Sequence, residues 1–312
     1  MDAGPQKRPI SDGKQDEPPR KKQIQSSGYI LVTGANKGVG FGICRKLLSE
    51  DESCNVILGA RNEDNGENAL NQLKSENESW GNRCAFLKID VSDENSVEQA
   101  AAELTSQGIE LNAIVNNAGI ALDAPWGPKP FLPEVARNTL NTNFWGILRV
   151  CNHFTPLLKT GGRIVHVTSG AGQQNMQKMS DEKQQLMLNE ELTMADLEHY
   201  AEEFISIYEA YAEKNKLLQQ VEGWWLQSYG FSKACVNMMT RIQAKEYPDF
   251  LVNCCTPGFV ATDMVAGYDG ESQLKTIDEG ADTPVWLCLG EVNASGLLFG
   301  NERKQLKFSE KY

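Results

Sequence analysis

The sequence predicts a single α/β domain: a doubly wound parallel sheet with helices on both faces, interrupted once by a long helical insertion. Three observations carry this. Short apolar runs alternate with amphipathic stretches from residue 29 onward, the repeat that builds parallel sheets. The first apolar run opens directly into a glycine-rich turn and then a helical pattern. Residues 170–228 are too long for a structureless loop in a compact domain and must carry secondary structure of their own. At 312 residues and 40% hydrophobic content, the chain can bury a sizeable core.

Taken in order, residues 1–27 are polar, rich in Pro, Lys, Asp and Gln, and predicted to be a disordered tail. Lys7-Arg8 and Arg20-Lys21-Lys22 have the layout of a bipartite nuclear import signal, although a solvated charged tail is the plainer reading. The folded domain is expected over 28–312. Tyr29-Ile30-Leu31-Val32 reads as a buried parallel strand. It feeds into Thr33-Gly34-Ala35-Asn36-Lys37-Gly38-Val39-Gly40, followed by a helix. Strand, glycine turn and helix together form a dinucleotide-binding loop of Rossmann type, because the glycines let backbone approach the pyrophosphate and the helix N-terminus offers N–H groups to it.

The next strand, Asn55 to Ala60, ends at Arg61. A carboxylate at about this distance would accept a ribose 2′-hydroxyl; here a cation stands instead, with Lys37 in the loop itself. Two cations attract a 2′-phosphate, which favours NADP(H) over NAD(H). Arg61 could alternatively be a solvated strand-end residue. Further β-α units follow: a helix over 64–77, a strand over 84–89 ending in Asp90-Val91, a helix over 94–106, and a strand over 111–115 ending in Asn116-Asn117-Ala118-Gly119. Asp90 and Asn117 fall at carboxyl ends of strands, where such folds bind ligands. One long helix is expected over 133–158, carrying Asn143, and a strand over 163–167 ends at Thr168-Ser169.

The insertion over 170–228 reads as two helices, about 180–190 and 193–220. Leu197, Phe204, Ile207, Tyr208 and Tyr211 recur at helical spacing, a face docked on the body of the fold. Gly223-Trp224-Trp225 close it; Trp224 either walls an apolar substrate pocket or packs in the core. Then comes Tyr229-Gly230-Phe231-Ser232-Lys233, a phenol and an ammonium one helical turn apart. Alone, the pair is an ordinary helix face. Beside a cofactor, a Lys cation would lower the phenol pKa and make it a usable acid.

As an ordered set, the glycine loop, Asn116 to Gly119, Asn143, Ser169, Tyr229, Lys233 and Pro257-Gly258 resemble the short-chain dehydrogenase/reductases over residues 28–310. Gly34 to Gly38, Thr142-Asn143-Phe144-Trp145-Gly146, Glu222-Gly223-Trp224, Cys254 to Gly258, Thr262-Asp263-Met264 and Phe299 to Lys304 are similar to the NADPH-dependent monomeric carbonyl reductases, whose outline the plant salutaridine and menthone reductases share. The resemblance implies a catalytic set of Asn143, Ser169, Tyr229 and Lys233. Ser169 would hold the substrate carbonyl oxygen and Tyr229 would protonate it. Lys233 would tune the phenol and bind the nicotinamide ribose, and Asn143 would hold a relay water. It further implies cofactor contacts at Gly34, Asn36 to Gly40, Arg61, Asp90, Val91, Asn117 to Gly119, Pro257, Gly258, Val260 and Thr262. An apolar substrate pocket would be lined by Ile120, Trp126, Trp224, Phe259 and Met264. Thr168 before Ser169, and the bulky Trp145 beside Asn143, depart from the common pattern and bear on pocket shape. The insertion implies a monomer.

The expected function is NADPH-dependent reduction of quinones, aldehydes or hydrophobic ketones. The alternatives are a dedicated ketoreductase for one terpenoid, alkaloid or steroid, and a non-catalytic NADP(H) sensor. A net charge of −12 argues against nucleic acid. No apolar run reaches a membrane span, and the N-terminus has no signal-peptide stretch. Eight scattered cysteines without metal spacing fit buried thiols and the cytoplasm. No metal is required, and the three histidines are expected to be structural.

Overall fold

Ile30, Leu31 and Val32 are all buried, which is why the first strand is an unbroken apolar run rather than an alternation. The computed structural model describes residue 1 and residues 28–124, 132–214 and 216–309. The remainder of the predicted tail, with its basic clusters, and Trp126 lie outside the described residues.

The elements are β1 (Tyr29–Val32), α1 (Gly38–Glu50), β2 (Asn55–Ala60), α2 (Glu63–Glu76), β3 (Cys84–Lys88), α3 (Glu94–Ser106), β4 (Leu111–Asn116), α4 (Glu134–Leu140), α5 (Gly146–Phe154) and β5 (Leu158–Val167). The insertion adds α6 (Gly170–Gln177), α7 (Asp181–Leu188), α8 (Met194–Ala212) and the short strands β6 (Gln220–Val221) and β7 (Trp224–Trp225). The chain closes with α9 (Ser228–Glu246), β8 (Leu251–Cys255), α10 (Ile277–Leu289), β9 (Leu298–Phe299) and β10 (Gln305–Leu306). The main sheet runs β3-β2-β1-β4-β5-β8-β9-β10, parallel except for the antiparallel β9/β10 pair.

Alternate strand residues feed two cores. Leu31, Ile57 and Ile114 face a layer that includes Val97, Phe144, Phe204 and Phe231. Ile30, Val32, Val56 and Leu58 face a layer that includes Ile43, Leu47, Leu73 and Val285. The order reverses between β1 and β4, so the loops after these two strands flank the crevice in which such folds bind ligands.

Two predicted elements are corrected. The long helix over 133–158 is α4, a π-helical turn at Asn141–Trp145, α5, and a 3-10 turn at Thr155–Leu157. Pro156 cannot donate a helical hydrogen bond and ends the helix early. In the insertion, α6 is an additional helix, and α8 stops at Ala212 rather than near 220. The residues beyond form a hairpin whose two turn residues, Glu222 and Gly223, both have positive φ.

Candidate active site

The glycine loop is fixed from below by the turn after β4. Gly34 and Gly38 sit at φ +62° and +58°, conformations that a side chain strains. The Thr33 hydroxyl accepts the N–H groups of Asn117 and Ala118, both at 3.1 Å. The Asn117 amide donates to the carbonyls of Thr33 (2.9 Å) and Gly34 (3.1 Å). A Cβ on Gly40 would lie 2.4 Å from that amide nitrogen, so the helix can enter only with glycine there. Asn117 thus acts as a staple for the loop.

Beside the loop, Asn36, Lys37, Arg61, Asn62, Asn65 and Gln72 line an open cleft of about 410 Å³. It holds two cations and no carboxylate, a donor set that suits an anion. Lys37 Nζ pairs with Asp263 at 2.8 Å, tying the glycine loop to the segment after β8, and this holds the Asp263 carboxyl below its usual range. Thr262 lies over the loop, its methyl 3.3 Å from the position of a Cβ on Gly38. Glycine loop and cationic cleft together fit a dinucleotide with an extra phosphate.

The catalytic candidates meet where β5 ends beside α9. Lys233 Nζ donates to the Val167 carbonyl at 2.9 Å and lies 6.0 Å from the Tyr229 ring centre. Ser169 caps α6 by accepting from Ala171 N at 3.2 Å, and its side chain is near enough to the Tyr229 phenol to pull the phenol pKa downward. Ser169 and Tyr229 remain partly exposed, whereas Lys233 and Asn143 are buried. Two partly exposed, hydroxyl-bearing residues are thus backed by a buried ammonium. Burial lowers the Lys233 pKa to about 8. Asn143 sits in the π turn, a feature that re-aims side chains at functional sites. Its Oδ1 accepts Ile120 N, and its Nδ2 donates to Ile120 O (both 2.8 Å) and to Ser232 Oγ (2.9 Å).

The short chain dehydrogenase family matches residues 28–181. Carbonyl reductase (NADPH) 1 of Rattus norvegicus is 36% identical, over 85% of this chain and 92% of its own. The chain belongs to the short-chain dehydrogenases. Among solved structures, salutaridine reductase from Papaver somniferum superposes with a TM-score of 0.73 at 27% identity, over 88% of this chain and 99% of that one. Menthone neomenthol reductase from Mentha piperita gives 0.72 at 28% identity, over 89% and 99%.

Within this short-chain dehydrogenase, several expectations change. Lys233 was expected to depress the Tyr229 pKa. Instead burial pushes the phenol up, the nearby Ser169 hydroxyl opposes that, and the ammonium is committed to Val167. Trp224 is fully buried, packed on Tyr200 and edge-on to Phe231 at 5.3 Å, with Lys183 over its face. It is core, not pocket wall. Trp145 turns away to donate to Glu198 of α8 (3.1 Å), and Thr168 ties β5 to α9 through the Lys233 carbonyl at 3.2 Å. Both amide hydrogens of Asn143 are engaged by Ile120 O and Ser232 Oγ. Val91 and Val260 are buried. Asp90 accepts from Ser92 N and Oγ, fixing the turn after β3.

Phe259 packs edge-on against Tyr268 at 4.5 Å. Leu122, Leu132 and Met264 are exposed large apolar side chains, all in the loops that follow β4 and β8. Three residues at the site escaped the sequence reading: Asp123, Ser232 and Tyr268. The one available signal was Asp123, a lone charge in the apolar run Ile120 to Ala124.

Proposed function

We propose that the chain reduces carbonyl compounds with NADPH, acting on quinones, aldehydes and hydrophobic ketones. The observation that carries this reading is the pair of partly exposed residues Ser169 and Tyr229, backed by buried Lys233 beside the glycine loop. The cationic cleft at Lys37 and Arg61 supports NADP(H) as the cofactor. Relatives named as NADPH carbonyl reductases support the reaction class.

NADPH, when bound, supplies the hydride; the chain supplies position and protons. Ser169 hydrogen-bonds the carbonyl oxygen, and Tyr229 donates its proton to that oxygen as negative charge develops there. The raised pKa keeps the phenol in the protonated form that a proton donor requires. Lys233 supplies the positive charge behind it. A side chain at residue 119 would come within 3.3 Å of Asn143 Oδ1 and 3.5 Å of Lys233 Nζ, so glycine keeps the path between them clear for reprotonation. The exposed apolar residues of the two flanking loops suit a hydrophobic substrate. A monomer is the proposed state, with the insertion covering one face of the fold. Eight buried free thiols fit a reducing cytoplasm; among the described residues no helix is long and apolar enough to cross a membrane.

The decisive variant is Tyr229→Phe. Removing the proton donor should lower kcat by at least about 100-fold while NADPH still binds. Wild-type turnover in that variant would refute the assignment.

A further inference from the structure

Asp123 is a fully buried carboxylate that none of the proposed chemistry uses. Burying an anion is costly unless donors surround it. Three do so here, and two of them are the first backbone amides of the catalytic helix. Asp123 accepts from Ser228 N, from Tyr229 N at 2.9 Å, and from the Tyr208 hydroxyl at 3.2 Å. The helix already has a local cap, since the Gln227 side chain accepts from Gly230 N at 3.2 Å. Asp123 therefore serves the two amides that the local cap leaves free, including that of Tyr229 itself.

The carbonyl of the same residue is held as well. The Tyr229 carbonyl accepts from Ser232 Oγ at 2.7 Å, and that oxygen accepts from Asn143 Nδ2. Asn143 in turn clamps both backbone polar groups of Ile120, three residues before Asp123. The bonds close a ring: Tyr229 N to Asp123, along the chain to Ile120, through Asn143 and Ser232, and back to the Tyr229 carbonyl. Tyr229 lies in the first turn of α9, where amides have no partners within the helix. The ring supplies what the helix cannot. A negative charge at that end also opposes the positive end of the helix dipole.

We propose that Asp123 is a positioning residue for the catalytic tyrosine, and that Tyr208 makes the insertion part of the same support. This rests on the reading of Tyr229 as proton donor. It fixes where the phenol points, and has no part in holding the cofactor.

The test is steady-state reduction of menadione by the full chain, with NADPH affinity from fluorescence titration and folding from circular dichroism. Asp123→Ala should lower kcat by about 10- to 100-fold, the loss expected from an ångström-scale misplacement, with the NADPH Kd within about twofold of wild type. Asp123→Asn keeps one acceptor oxygen and should recover part of the loss. Tyr208→Phe should cost a smaller factor, in kcat rather than KM. A merely structural carboxylate would lower the unfolding midpoint and leave kcat of the folded enzyme unchanged, and that result overturns the proposal. A kcat loss matched by an equal loss of NADPH affinity overturns it too. If Asp123→Ala does not fold, an unchanged kcat in both Asp123→Asn and Tyr208→Phe is the overturning result. A wild type inactive on carbonyls overturns the functional reading along with this one; an unaffected set of variants overturns this one alone.

Discussion

The Tyr229 phenol and the Lys233 ammonium are shifted in opposite directions by the same cause. Desolvation disfavours charge, so the phenol is raised and the ammonium lowered to about 8. The phenol holds its proton until a carbonyl oxygen gains charge beside it, which suits an acid better than a base. At the other end of the site, Arg61 and Lys37 are the residues proposed to set the cofactor choice. Arg61→Ala should weaken NADPH binding by about 10- to 100-fold, the worth of a charge-assisted contact, while NADH affinity changes little. Equal losses for the two cofactors in fluorescence titration would remove the 2′-phosphate assignment. These residues were legible in the sequence because their meaning lies in local order: glycine spacing, a cation at a strand end, a phenol and an ammonium one turn apart. Asp123 and Ser232 were not, because their partners are brought close only by the fold. Trp224 stayed ambiguous in sequence because an aromatic ring serves a pocket wall and a core equally well; its burial decides for the core.

Among the elements, α8 bears most directly on the catalytic helix. Phe204 stacks on Phe231 with centroids 3.9 Å apart and planes 2° from parallel, and Phe231 lies between Tyr229 and Lys233 in the chain. Phe204→Ala should destabilise the fold by about 3–5 kcal/mol, read as a lower urea midpoint. A shift within error would mean that the insertion is loosely docked. The apolar period of α8 was visible in the sequence, whereas its end was not: Ala212 is followed by residues that would also suit a helix. The hairpin turn at Glu222-Gly223 was hidden for a related reason, since only glycine advertises positive φ. The π turn left no trace in the periodicity. One extra residue in a helical turn moves the following face by roughly 100°, which periodicity reads as noise.

At the scale of the whole molecule, the doubly wound parallel sheet with helices on both faces followed from the apolar strands and the alternation of elements, while behaviour in solution depends on buried polar groups. His166 is fully buried; it bonds Gln243 Oε1 at 2.9 Å and Asn116 at 3.2 Å, and faces the Lys233 charge. Its pKa falls to about 4 from an ordinary value of 6.5. Between those values the unfolded chain takes up a proton that the folded chain refuses, so stability is lost as pH falls from 6.5 towards 4. The loss is on the order of 3 kcal/mol. Urea unfolding at pH 7 and 4.5 should show a steeper loss in wild type than in His166→Asn; parallel profiles would contradict this. Light scattering should give a monomer, and a dimer would mean that the insertion leaves an association face open.

The central claim is NADPH-dependent carbonyl reduction at the Ser169, Tyr229 and Lys233 site. It is tested most directly by following NADPH oxidation against a panel of quinones, aromatic aldehydes and ketones, repeated with NADH. The account predicts turnover of several hydrophobic carbonyls with NADPH and at least about tenfold lower kcat/KM with NADH. Equal or better rates with NADH, or no oxidation with any carbonyl, would contradict it.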